Sequence, residues 1–221
     1  MTNSEKKEEW LFRESRWLRV YKLGSNHFRS ESKFRSDGLQ VSADSIIGQW
    51  SSLSLDEQIE FSNAYRRKPS LTSEDERILN FLMEVGPPGV WVNIALLLCR
   101  HPDRERVFRF LASRAGEDQD HRANFYSGLE TFNDPRSIPI LKRQYEKYRN
   151  SEALLKRGPL DRSDSSQLFD YLYCCRALMS IEGSPEYQVA IKEFLTHSDN
   201  SLRKTAERLL SQTPGREPPK T

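Results

Sequence analysis

Cysteine is scarce in this 221-residue chain: Cys99, Cys174 and Cys175 are the whole complement, with one vicinal pair and no C-x-x-C spacing. An odd count so arranged excludes a disulfide framework. Cys99 and Cys175 fall in apolar helical stretches and are expected to be small core residues. No run approaches the ~18 apolar residues that a membrane span needs. The opening MTNSEKKEEW has no apolar segment of the secretory kind. The expectation is a cytoplasmic chain with no membrane contact. A net charge of +2 gives bulk electrostatics little with which to select nucleic acid or an anionic surface.

The signatures of catalysis are missing too. There is no Gly-rich phosphate loop, no H-E-x-x-H and no G-x-S-x-G. His27, His101, His121 and His197 are scattered. Asp118-Gln-Asp120-His121 could be mistaken for metal ligands, but acids at a helix start are favoured by the free N–H groups and the macrodipole. His197-Ser-Asp199 reads as a loop, since adjacency in sequence does not make a triad. No catalytic residue, metal or cofactor is expected.

What the chain has is helix. Hydrophobic residues make up 36% and charged residues 30%, against norms of about 45–50% (counting glycine) and ~25%, a bias suited to thin helical layers with much surface. Aromatic residues at 10% argue against global disorder. From His101 to Leu141 the pattern is helix, turn, helix, turn and a third start. Pro102 is placed in a first turn ahead of the stripe Val107, Phe108, Leu111 and Ala112. Gly116 to Asp120 then offers a stop and two capping acids before Ala123, Phe125, Tyr126, Leu129 and Phe132.

The same start recurs along the chain. Pro102, Pro135 and Pro185 each precede, by five and six residues, the pairs Val107/Phe108, Ile140/Leu141 and Ala190/Ile191, at spacings of 33 and then 50. Asp118-x-x-x-Arg122 and Asp199-x-x-x-Arg203 place their arginines 20 and 18 residues after Pro102 and Pro185. A period in the thirties built from helix pairs implies units that bury their apolar faces on one another.

Two segments, DPRSIPIL at Asp134–Leu141 and DNSLRKTAERLL at Asp199–Leu210, resemble the two halves of a HEAT repeat of the short bacterial kind, with Ala206 as the small residue of the second helix. The resemblance spans roughly Ser73 to Gln212. It departs at His121 and Phe125, where a hydrophobic and a small residue would stand, and at an insertion after the pair beginning at Asp134. It implies an all-α, right-handed α-α superhelix of antiparallel pairs and carries no activity with it. Within it Asp118, Arg122, Asp199 and Arg203 are expected to be structural. The arginines would occupy equivalent first-turn positions and bond acids or carbonyls of a neighbouring unit.

The remaining elements follow from local signals. Trp10, Leu11, Trp17, Leu18 and Tyr21 predict a helix over about Lys6–Leu23, so that residues 1–72 form an N-terminal helical cap with a long connection over Gly24–Val41. Residues 73–212 then carry the repeats, and 213–221 form a disordered tail. Ile46, Ile47 and Trp50 predict a short helix. Ser54/Glu57 and Ser73/Glu76 read as capping boxes, and Gly86-Pro-Pro-Gly89 as a stop before a helix apolar on most sides. Helices are expected over Ile138–Arg149 and Ser165–Ile181, separated by an inserted loop.

Between Arg136 and Arg162 eight Lys/Arg face three acids, and a second basic zone lies between Arg13 and Arg35. Lys147, Arg149, Lys156, Arg157 and Arg162 are the candidate partner-binding residues, since loops on a rigid scaffold are frequent binding sites. The expected function is non-catalytic scaffolding of a protein partner, acidic in character, with a nucleic-acid backbone as the second choice. Some HEAT-like proteins of this size are glycosylases for alkylated DNA bases, which is the enzymatic alternative. Trp91 is the one tryptophan inside the repeat region, and it has no acid within a local motif.

Overall fold

The computed structural model describes residues 42–117, 121–155 and 160–212, and every regular element among them is a helix. The chain is all-α. The helix expected over Lys6–Leu23, the connection to Val41, Asp118, Asp120, Lys156, Arg157, Gly158-Pro159 and the tail after Gln212 lie outside the described residues. Contacts divide the chain into two units between Lys68 and Pro69.

In the first unit α1 (Ala43–Gln49) continues into a 3-10 turn (Trp50–Ser52) and is followed by α2 (Leu55–Tyr65). Ser54 and Glu57 form the capping box the sequence spells. Trp50 meets Phe61 edge-on at 6.0 Å and Phe61 stacks on Tyr65 at 5.1 Å. The Gln58 amide donates to the carbonyls of Trp50 and Leu53, holding α2 against that turn.

The second unit opens with α3 (Ser73–Val85), α4 (Pro88–Leu98), α5 (Arg104–Gly116) and α6 (Ala123–Phe132). It continues with a 3-10 turn (Pro135–Ser137), α7 (Ile138–Arg149) and the short α8 (Glu152–Leu155). Then come α9 (Arg162–Ile181), α10 (Pro185–Lys192) with its trailing 3-10 turn (Glu193–Thr196), and α11 (Asn200–Ser211). Helices pack in chain order: α3 on α4, α5 on α6, α7 on α9, α10 on α11. The second members also touch in turn, α4 with α6, α6 with α9 and α9 with α11. The long α9 reaches α6, α7, α8, α10 and α11 because Leu168, Tyr171, Leu172, Cys174, Cys175 and Leu178 bury several of its faces.

Helix starts differ from their sequence expectations where two capping patterns compete. At α3 the box is Thr72/Asp75, one residue ahead of Ser73/Glu76, because the Asp75 carboxylate takes both the N–H and the hydroxyl of Thr72 at 2.8 Å. Pro102 lies outside α5, whose cap is Asp103. Helix α9 begins at Arg162 and not Ser165, with Asp161 and Asp164 as its box. His101 and His197 solve the same problem twice: each imidazole Nδ1 accepts the N–H of the capping aspartate two residues on, Asp103 at 3.1 Å and Asp199 at 3.0 Å. In a neutral ring an accepting Nδ1 places the proton on Nε2.

Close approaches fix the spacing between helices. A Cβ on Gly128 would stand 2.9 Å from Leu111 Cδ1 and 3.6 Å from Cys99 Sγ, so this glycine lets α6 settle against α5 and the end of α4. Arg136 forks onto Glu105 at 3.2 and 2.9 Å, also binds Asp134, and lies over the Phe108 ring at 4.3 Å, joining α5 to the turn before α7. Hydrogen bonds from Arg136 hold the Glu105 and Asp134 carboxyls below the usual carboxylate range.

Leu111→Ala and Leu141→Ala should each lower the urea-unfolding free energy by about 2–5 kcal/mol. Leu111 should lie at the upper end, because Gly128 has no side chain to relax into the hole. The Arg136 pairing acts with a definite sign: depressed folded-state values stabilise above the ordinary carboxylate range and cease to do so as pH falls through them. Carboxyl-carbon NMR titrations should show the Glu105 and Asp134 values rising toward ordinary ones in Arg136→Ala.

Candidate functional site

Arg122 is 4% exposed and sits at the N-cap of α6. Its guanidinium donates to the Glu117 carbonyl at 2.7 Å and to Gln144 Oε1 at 2.6 Å, while the Gln144 amide donates to the Gly116 carbonyl at 3.2 Å. A cation and an amide thus satisfy carbonyls left open at the C-terminal end of α5. From the other side, Asp170 of α9 accepts the Ala123 N–H at 2.8 Å, and Tyr126 and Tyr148 join hydroxyls at 2.9 Å. Burial pushes both phenols up, so they stay protonated. This cluster links α5, α6, α7 and α9, and Arg122, Gln144 and Asp170 are all buried in it.

Arg203 behaves differently, which corrects the expected equivalence of the two arginines. Asp199 caps α11 through the Ser201 and Leu202 N–H groups, and Arg203 is the fourth helical residue. Arg203 donates back to the His197 and Ser198 carbonyls in its own approach loop and to Asn200 Oδ1 at the first residue of α11. In the other pattern His121 has a left-handed φ of 64°, so α6 cannot extend upstream through it toward Asp118, and Arg122 becomes the cap itself.

Lys147 and Arg149 are exposed on the last turn of α7, where a cation complements the macrodipole. Arg162 is exposed at the first residue of α9, the helix packed against α7, where the macrodipole disfavours a cation. These are the described members of the candidate basic edge.

The sequence reading missed a cleft of about 380 Å³ that runs across α4, α6, α9 and α11. Arg176 of α9, 5% exposed, lies in its wall and donates to Glu130 at 2.8 Å and to the Leu209 carbonyl at 3.2 Å. At the mouth the Arg208 guanidinium donates to the Tyr173 hydroxyl and lies 5.6 Å from its ring centroid. Leu96, 48% exposed, supplies an apolar lip. The available signal was Arg176 itself, a lone charge inside the apolar YLYCCRALM segment.

Other reactive groups are held inert. Burial pushes the Cys99 thiol up to about 11 and raises Cys174 and Cys175 as well, leaving little thiolate near neutrality. No cluster of metal-ligating side chains occurs among the described residues, and none of their helices is long and apolar enough to cross a membrane. The Trp91 indole donates to the Leu82 carbonyl at 2.9 Å, and Arg114 covers its ring at 3.7 Å. Comparison with protein-family models, with curated proteins and with solved structures finds no match to this chain.

Glu130→Ala strands the Arg176 charge in a buried site and should cost about 3–5 kcal/mol in chemical unfolding. Glu130→Gln keeps an acceptor and should cost less. Equal stability of Glu130→Ala and wild type would show that the pair is not what holds Arg176 in the cleft wall.

Proposed function

We propose that this chain is a HEAT-like helical-repeat protein that works without catalysis, holding a macromolecular partner on a rigid stack of helix pairs. In this reading residues 73–212 form a right-handed α-α superhelix, and residues 1–72 supply an N-terminal helical cap. The observation that carries it is the packing order, in which α4, α6, α9 and α11 touch one after another and each also packs on its own partner helix. Asp118, Arg122, Asp199 and Arg203 are its structural residues.

The partner-facing edge is Lys147, Arg149, Lys156, Arg157 and Arg162. Exposure of Lys147, Arg149 and Arg162 supports that role, as does the net positive charge of the segment between Arg136 and Arg162. Such an edge favours an acidic protein surface and speeds encounter with it. No cofactor enters this function.

Affinity capture from native cell extract, with and without nuclease, tests the reading on wild type and Lys156→Glu/Arg157→Glu. The expected outcome is a protein partner retained after nuclease treatment and lost from the double reversal, with binding weakened by roughly tenfold or more. A nucleic-acid partner would show itself by nuclease sensitivity and by log affinity falling with log salt at a slope of roughly 0.9 per phosphate contact on duplex DNA. Recovery of the same partners by both proteins would end the basic-edge reading.

A further inference from the structure

We infer that the cleft between α4, α6, α9 and α11 is an anchoring site for a carboxylate side chain, Asp or Glu next to an aliphatic residue, on a peptide segment of a protein partner. The donors for it are present and unused. Arg208 donates through one Nη2 contact to Tyr173, and no acid partners it among the described residues. Arg176 spends Nε on Glu130 and Nη1 on the Leu209 carbonyl, and its Nη2 has no hydrogen-bond partner among the described residues while not being a fully buried atom. A guanidinium presents donors in a planar fork that matches a carboxylate.

Charge decides between anions. Arg176 and Arg208 against Glu130 leave one positive charge in the cleft, enough for a monoanion. A phosphate dianion would place its second charge against Glu130. Leu96 at the lip gives an aliphatic neighbour of the acid a place to lie. The cleft is open and largely polar, whereas small-molecule pockets bury most of their ligand in apolar walls. One side chain of a longer chain fits that description better. The site goes beyond the basic edge proposed above and uses none of its residues.

Short random peptides displayed on phage and selected on the immobilised full chain provide the test. Enrichment of Asp or Glu beside an aliphatic residue is the expected result. A synthetic copy of an enriched peptide, followed by fluorescence anisotropy, should bind the Arg208→Glu protein roughly tenfold more weakly or worse. Replacing its acid by the amide should have the same effect, and Arg208→Lys should restore part of the affinity. Arg208 is exposed, so thermal unfolding of Arg208→Lys should match wild type, while Arg208→Glu, which loses the Tyr173 contact and puts an acid in the last turn of α11, should unfold at a slightly lower temperature and stay folded at the assay temperature. Leu96→Asp, also at an exposed position, should repel the peptide from the other wall. Lys147→Glu/Arg149→Glu should leave the peptide bound as tightly as wild type does, and loss of binding there alone would move the acid to the basic edge and overturn the cleft. Pools without acidic enrichment, or acidic peptides indifferent to Arg208→Glu, also overturn it. A phosphoserine peptide that outbinds its Glu counterpart would overturn the carboxylate in favour of a phosphate.

Discussion

A buried guanidinium sets the terms for the second unit. Arg122 must be desolvated wherever the α5–α6 corner closes, and a desolvated cation is tolerable only if fixed acceptors surround it. The Glu117 carbonyl and the Gln144 amide oxygen supply them from α5's end and from α7, with the Tyr148 ring 5.4 Å away. Asp170 brings α9 to the same corner by capping α6 at Ala123. Apolar burial stabilises these helices more in total, but it is non-directional. The hydrogen bonds add a fixed direction at this corner.

Helix ends therefore carry much of the specificity, and they do so in two ways. Most starts are capped locally by Ser42, Ser54, Thr72, Asp103, Asp161 or Asp199, each accepting an N–H from its own first turn. Two of these caps are braced by an imidazole, His101 behind Asp103 and His197 behind Asp199. The α6 start, with His121 in the left-handed region, uses no local side chain and takes its acceptor from α9 instead.

That division explains what could be read from the sequence. Local devices are spelled out over three or four residues, so Ser54/Glu57, the Ile138–Arg149 helix and the stripe Val107, Phe108, Leu111, Ala112 were legible in advance. Overlapping patterns such as Thr72/Asp75 and Ser73/Glu76 left a one-residue ambiguity that side-chain reach resolves. Asp170 capping Ala123 spans 47 positions, and no local periodicity announces it. The cleft was invisible for the same reason: Leu96, Glu130, Arg176 and Arg208 come from separate helices, and only packing makes them neighbours. Arg122 and Arg203 show the converse hazard, since one Asp-x-x-x-Arg spelling ends in an N-cap in one place and a fourth helical residue in the other.

The position of α9 in the chain has a consequence for synthesis. Helices α5, α6 and α7 are synthesised before Asp170, so at that stage the α6 start lacks its acceptor and Tyr145 and Tyr148 lack the Tyr171 ring they later meet at 5.6 and 6.4 Å. The corner has no α9 to close on until residues Arg162 to Ile181 have been added. The order of translation thus runs against the order in which this core can close.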